Sequence, residues 1–116
     1  TPQGNVGQEN NSGQTVAGIT LNLSNMSLTK IPSDTFGKIS TEVLDVSHNQ
    51  LSGAIQAEIR HLSNLRVLDA SYNNMTGVPA EIGQLGKLEV LDLSNNQLTG
   101  LPNELVNLQN LKTLNL

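Results

Sequence analysis

Three aspartates, Asp45, Asp69 and Asp92, recur at intervals of 24 and 23 residues, each within an Asp-x-Ser sequence. Carboxylates set side by side are candidates for cation binding or acid–base work, because like charges in close array raise one another's pKa. A Ca²⁺ site, however, takes about six to eight oxygens at varied angles, and a flat ladder of single carboxylates supplies few. The Ser after each Asp points to a local hydrogen bond instead. His48 adjoins Ser47, but neighbours along a strand diverge, so no Ser–His–Asp triad is expected. Cysteine is absent, which removes disulfides, thiolate metal sites and thiol nucleophiles together. The sequence has no P-loop, GxSxG or HExxH motif. No catalytic residue, cofactor or metal is therefore expected.

The remaining chemistry is that of recognition, and it depends on a repeat. Leu88-Glu-Val-Leu91-Asp-Leu93-Ser-Asn-Asn96-Gln-Leu98 reads LxxLxLxxNxL. The pattern recurs from Leu65 (Leu68, Ala70, Asn73, Met75) and from Thr41 (Leu44, Val46, Asn49, Leu51). A looser copy starts at Gly18, with Met26 in the Asn position, and a fifth starts at Leu111 and reaches Leu114 and Leu116. The starts lie 23, 24, 23 and 23 residues apart. Fixed periods of this length mark solenoids. Within a copy, Leu91 and Leu93 alternate with Val90, Asp92 and Ser94, the period of a strand with one buried face. Gly53, Gly77 and Gly100 follow the strands, where a positive φ is cheap for glycine. Pro79 and Pro102, followed by Glu81 and Glu104, read as starts of short helical segments with the proline in the first helical position.

The motif and period resemble the leucine-rich-repeat family over residues 16 to 116. Met75-Thr-Gly-Val78-Pro79-Ala-Glu81-Ile82-Gly83 and Leu98-Thr-Gly-Leu101-Pro102-Asn-Glu104-Leu105 are similar to the LxGLPxEIGxLxxL form of many bacterial repeat proteins. Leu28 to Phe36 resembles the LxxLPxxxF form. The copy at Leu51 carries one extra residue, has Gln56 in place of Pro, and resembles the plant-type LxGxIPxEI form. The resemblance implies an α/β solenoid, a right-handed superhelix. Its parallel β-sheet lines the concave face, and short helical or 3₁₀ segments line the convex face. It also implies that Asn49, Asn73 and Asn96 bond backbone groups of their own and the adjacent turn, which a tight inward bend would otherwise bury unpaired.

On this scaffold the outward positions form columns, with parallel neighbours about 4.8 Å apart. One column is Thr20, Val43, Val67, Val90, Thr113; the next is Asn22, Asp45, Asp69, Asp92, Asn115; then Ser24, Ser47, Ser71, Ser94; the last is Asn25, His48, Tyr72, Asn95. The last is the least uniform, and variation on a fixed scaffold is where specificity is written. His48 and Tyr72 are expected to touch. Partner binding is assigned to His48, Tyr72, Asp45, Asp69, Asp92 and Asn95, with a protein or peptide as partner. The strand-start column Glu42, Arg66, Glu89, Lys112 alternates in sign and is expected to set register.

Composition narrows the alternatives. The chain of 116 residues is 36% hydrophobic but only 2% aromatic, so its core must be aliphatic and sugar-binding platforms are scarce. A net charge of −4 offers no basic patch for nucleic acid or an anionic membrane. No apolar run is long enough for membrane insertion. Residues 1–15 are rich in Gly, Asn and Gln and read as a polar tether, either a native surface spacer or a vector-derived extension. Thr1 reads as the start of a trimmed or mature form. The repeat domain, 16–116, contains four repeats plus the strand of a fifth without a C-terminal cap. Leu111, Leu114 and Leu116 then leave an open layer, and a homo-oligomer through that edge is expected. An extracellular or cell-surface setting is favoured over a cytoplasmic one, although the cysteine caps common in animal and plant extracellular members are missing.

Overall fold

A computed structural model describes residues 18–116, so the tether assigned to 1–15 lies outside the described residues. Strands β1 (Ile19–Asn22), β2 (Thr41–Asp45), β4 (Val67–Asp69), β6 (Val90–Asp92) and β7 (Thr113–Asn115) form one parallel sheet in that order. The short strands β3 (Ser52–Gly53) and β5 (Asn74–Met75) pair in a second sheet. Four 3₁₀ turns, η1 (Ser33–Gly37), η2 (Ala57–His61), η3 (Ala80–Gln84) and η4 (Asn103–Asn107), carry the chain back along the opposite side.

Each layer closes on aliphatic side chains. Leu44, Leu68 and Leu91 point inward from the sheet and meet Ile59 and Ile82 from the turns, all fully buried. Leu62, Leu85, Leu65 and Leu88 fill the returns, and Phe36 is the aromatic ring in this core. Layers of one size stack without large rings, which accounts for the aliphatic composition.

Each 3₁₀ turn is preceded by an extended residue: Pro32, Gln56, Pro79 or Pro102. The prolines thus stand one position earlier than the first helical residue expected above. There they supply the carbonyl that accepts the first turn bond, as in Ile82 N to Pro79 O at 3.1 Å, and their missing N–H is no loss. Gln56 does the same, accepting from Ile59 N at 3.1 Å, and its side-chain amide also donates to the Ile31 carbonyl of the preceding layer at 2.6 Å.

The glycine expectation holds only in part. Gly53 has φ +68°, in the repeat that carries the extra residue, whereas Gly77 and Gly100 do not adopt positive φ. The left-handed conformation falls instead on Asn25, Ser27, His48, Tyr72 and Asn95. Four of these five belong to a single column.

Candidate functional site

The sheet register places the outward side chains in the expected columns. Val43, Val67, Val90 and Thr113 are paired in sequence, as are Asp45, Asp69, Asp92 and Asn115. Thr20 and Asn22 extend the two columns onto β1. The valines are half-buried, so an apolar stripe runs beside the carboxylates.

Each aspartate is held by its own turn. Oδ1 of Asp69 accepts from the Ser71 backbone N–H at 3.0 Å and from the Ser71 hydroxyl at 2.6 Å. Asp45 with Ser47 and Asp92 with Ser94 repeat the arrangement, and Asn22 with Ser24 does the same through its amide oxygen. This corrects the assignment of Ser47 and Ser71 to an outward column: both are 5% exposed, tucked beneath the carboxylates they bond. The Ser bonds are those expected from the sequence, and at Asp92 they bear on the charge. There burial pushes the carboxyl up, but bonds from the Ser94 hydroxyl and N–H and from Asn115 outweigh it and hold it below the usual carboxylate range. Asp92 therefore stays ionised near neutral pH. The Oδ2 atoms of Asp45 and Asp69 accept no hydrogen bond and enter no ion pair among the described residues. Among those residues no group of three or more His, Asp or Glu side chains is placed to hold a metal ion.

The cations of the face are engaged at its rim. Arg66 bonds Glu42 at 3.1 Å and Glu89 at 3.2 Å, and Lys112 lies 3.6 Å from Glu89. The Arg66 hydrogen bond, and then the Lys112 charge, hold Glu89 below the usual range.

His48 and Tyr72 do come together. Their rings stack with centroids 4.4 Å apart and planes 10° from parallel. They stand beyond the strand ends, not on the strands, and their backbones are left-handed at φ 55° and 56°. The parallel ladder continues through them and fixes that conformation: His48 N donates to Ser71 O and Tyr72 N to Ser94 O, both at 3.0 Å. Asn95 has the same φ, 57°, one layer on, and is exposed. The left-handed requirement was the signal missed in the sequence. Asn or His at three of the column's four positions is its trace, since both tolerate this conformation and a bulky tyrosine seldom adopts it.

The Asn ladder lies directly behind this column. Oδ1 of Asn73 accepts from Leu51 N at 3.0 Å, and its Nδ2 donates to Val46 O, Ala70 O and Ser71 O at 3.0–3.1 Å. Asn49 ties Met26 and Leu28 in the same way, and Asn96 ties Met75. Each Asn thus fastens its own layer to the preceding one.

At the far edge, Leu114 and Leu116 are 40% and 62% exposed, and Leu111 is half-buried. Leu116 with Leu93, Leu98 and Leu101 lines an open cavity of about 430 Å³.

A ladder of buried asparagines behind a parallel sheet, with 3₁₀ returns on the opposite side, defines a leucine-rich-repeat solenoid. The leucine-rich-repeat region model matches residues 20–116, and the chain belongs to that family. No curated protein sequence matches it. Among solved structures, a leucine-rich-repeat protein of Leptospira interrogans superposes with a TM-score of 0.72 at 29% identity, over 80% of this chain and 29% of that one. The BIR3–SERK2 complex of Arabidopsis thaliana gives 0.74 at 35% identity, over 89% of this chain and 56% of the matched one. The plant peptide hormone receptor RGFR1, solved with RGF2, gives 0.71 at 41% identity, over 79% of this chain and 15% of that one. This chain thus spans well under two thirds of the length of each of these neighbours.

Proposed function

We propose that this chain is a non-enzymatic interaction module that presents its parallel sheet to a protein or peptide, with His48, Tyr72, Asp45, Asp69, Asp92 and Asn95 as the contact set. The observation that carries this reading is the Tyr72–His48 stack. It is an exposed aromatic pair held in a left-handed backbone that its column neighbours fill with asparagine. Backbone strain of this kind concentrates at binding sites, and tyrosine is enriched in hot spots. The neighbours support it by analogy: one was solved with a peptide hormone and another in a protein complex. RGFR1 is a plant peptide hormone receptor, and this favours an extracellular or cell-surface setting over a cytoplasmic one. These five strands span only about 20–25 Å, so the part of the partner that meets them is an extended segment or a small patch. The test is to select binders from a displayed peptide library and map them by amide chemical shifts. Shifts centred on Val67, Asp69 and Tyr72 support the reading. Shifts confined to the 3₁₀ side overturn it.

A second reading concerns the 116-residue chain by itself: its exposed Leu114 and Leu116 are covered by a second copy, strand β7 to strand β7. Light scattering at tens of micromolar then gives a dimer that Leu116→Glu dissolves. A monomer for the 116-residue chain overturns it.

A further inference from the structure

The charge balance and ring geometry of the sheet face are specific enough to name the chemistry of its occupant. This inference rests on the reading just given and deepens it. Across the face, five carboxylates (Glu42, Asp45, Asp69, Glu89, Asp92) stand against two cations, Arg66 and Lys112. Both cations are already engaged by Glu42 and Glu89 at the rim. The aspartate stripe is left uncompensated, and Asp92 is held ionised by its own hydrogen bonds. An anionic or neutral occupant would leave that charge unanswered while covering it from water.

The aromatic pair narrows the cation. His48 stacks on one face of the Tyr72 ring, and Tyr72 and Asn95, one layer on, are both exposed. An asparagine side chain is shorter than a phenol and cannot cover the whole of the ring's other face, which leaves part of it for a third planar group. A guanidinium is planar, stacks on phenol rings, and offers a fork of N–H donors to carboxylates; an ammonium does neither of the first two. Alternate side chains of an extended peptide recur at about 6.6–6.8 Å, against about 4.8 Å between layers. Three such arginines extend about 13 Å, against about 10 Å from Asp45 to Asp92, a mismatch that their long side chains take up. The half-buried valine stripe accepts the peptide's apolar atoms.

We propose that the sheet face binds an extended peptide segment bearing arginines at alternate positions, one guanidinium stacked on Tyr72 over Asn95 and the others on the free oxygens of Asp45 and Asp69. The probe is an acetylated, amidated nine-residue Ser/Thr peptide with arginine at positions three, five and seven. It is titrated into the 116-residue chain by amide chemical shift at low salt, beside the same peptide with citrulline, lysine or glutamate. The arginine peptide is expected to bind about tenfold or more tightly than the citrulline peptide, about three- to fivefold more tightly than the lysine peptide, and more weakly as salt rises. Tyr72→Asn, which the left-handed backbone accepts, should erase the arginine-over-lysine preference. Asp69→Asn should weaken both cationic peptides. Equal affinity for the arginine and citrulline peptides overturns the proposal, as does arginine binding untouched by both variants. No binding by any of the four peptides also overturns it. If library-selected peptides without arginine still map to Tyr72, only this proposal fails and the interaction reading stands.

Discussion

The imidazole of His48 lies flat against the phenol ring of Tyr72, 4.4 Å between centroids, and both residues reach that position through left-handed backbone. The repeat itself does not need either ring. Asn25 and Asn95 fill equivalent positions at φ 57°. The stack is therefore an addition to the scaffold, bought with local strain.

The first prediction follows from that strain. Left-handed backbone costs a bulky L-residue about 1–2 kcal/mol, and an exposed ring stack returns at most a similar amount. Tyr72→Asn should leave stability unchanged or raise it by up to about 1 kcal/mol. Tyr72→Val, branched at Cβ, should lower it by about 1–2 kcal/mol. Urea melts compare the two, and equal stability of Asn and Val variants would show that φ at residue 72 is not the determinant.

Asn73 is 6% exposed and satisfies one N–H and three carbonyls across two layers. Removing it strands the Leu51 N–H, whereas the carbonyls keep other donors: Asn49 for Val46 O, Asn96 for Ala70 O and the His48 N–H for Ser71 O. Asn73→Ala should cost roughly 1–3 kcal/mol. A thermal melt within error of the parent chain would count against the ladder as a stabilising device.

Acid should weaken the sheet face. Asp92 has a depressed folded pKa, so its contribution is present above the ordinary carboxylate value and disappears as pH falls through the folded one. Asn22 already makes the same turn with an amide oxygen, so Asp92→Asn should fold. The stability gap between parent and Asp92→Asn should be widest near neutral pH and close as pH drops below about 4. A gap independent of pH would mean that the Ser94 bonds do not discriminate between the two protonation states.

Ala70 occupies a column otherwise filled by Leu23, Val46, Leu93 and Leu116, and is fully buried. Met75, also fully buried, is flexible enough to take up the missing carbons. Ala70→Val is therefore expected to be tolerated or mildly stabilising. A loss above about 2 kcal/mol would show the layer already full.

The register of this fold was legible because inward and outward residues alternate strictly at a constant period. Asp45 could be aligned with Asp69 and Asp92 before any coordinates. The contact between His48 and Tyr72 was legible for the same reason. What escaped was everything set by φ. Glycine after the strand suggested where the chain turns, yet Gly77 and Gly100 keep ordinary backbone and the ladder forces Tyr72 instead. Alternation also placed Ser47 and Ser71 outside, because it cannot register that a hydroxyl bonded to the carboxylate two residues earlier folds under it. The proline shift has a similar origin: a 3₁₀ turn recruits the carbonyl three residues before its first bonded N–H, drawing the extended residue in as its start.

The central claim is that the Tyr72–His48 face binds the partner, and one affinity comparison tests it most directly. A peptide selected against the chain is titrated calorimetrically into the parent and into the double variant His48→Asn, Tyr72→Asn, after matching melts establish that both are folded. The account predicts weaker binding by roughly 1–3 kcal/mol in the double variant, with stability shifted by no more than about 1 kcal/mol. Unchanged affinity in a folded double variant would contradict it and move the binding site to another face.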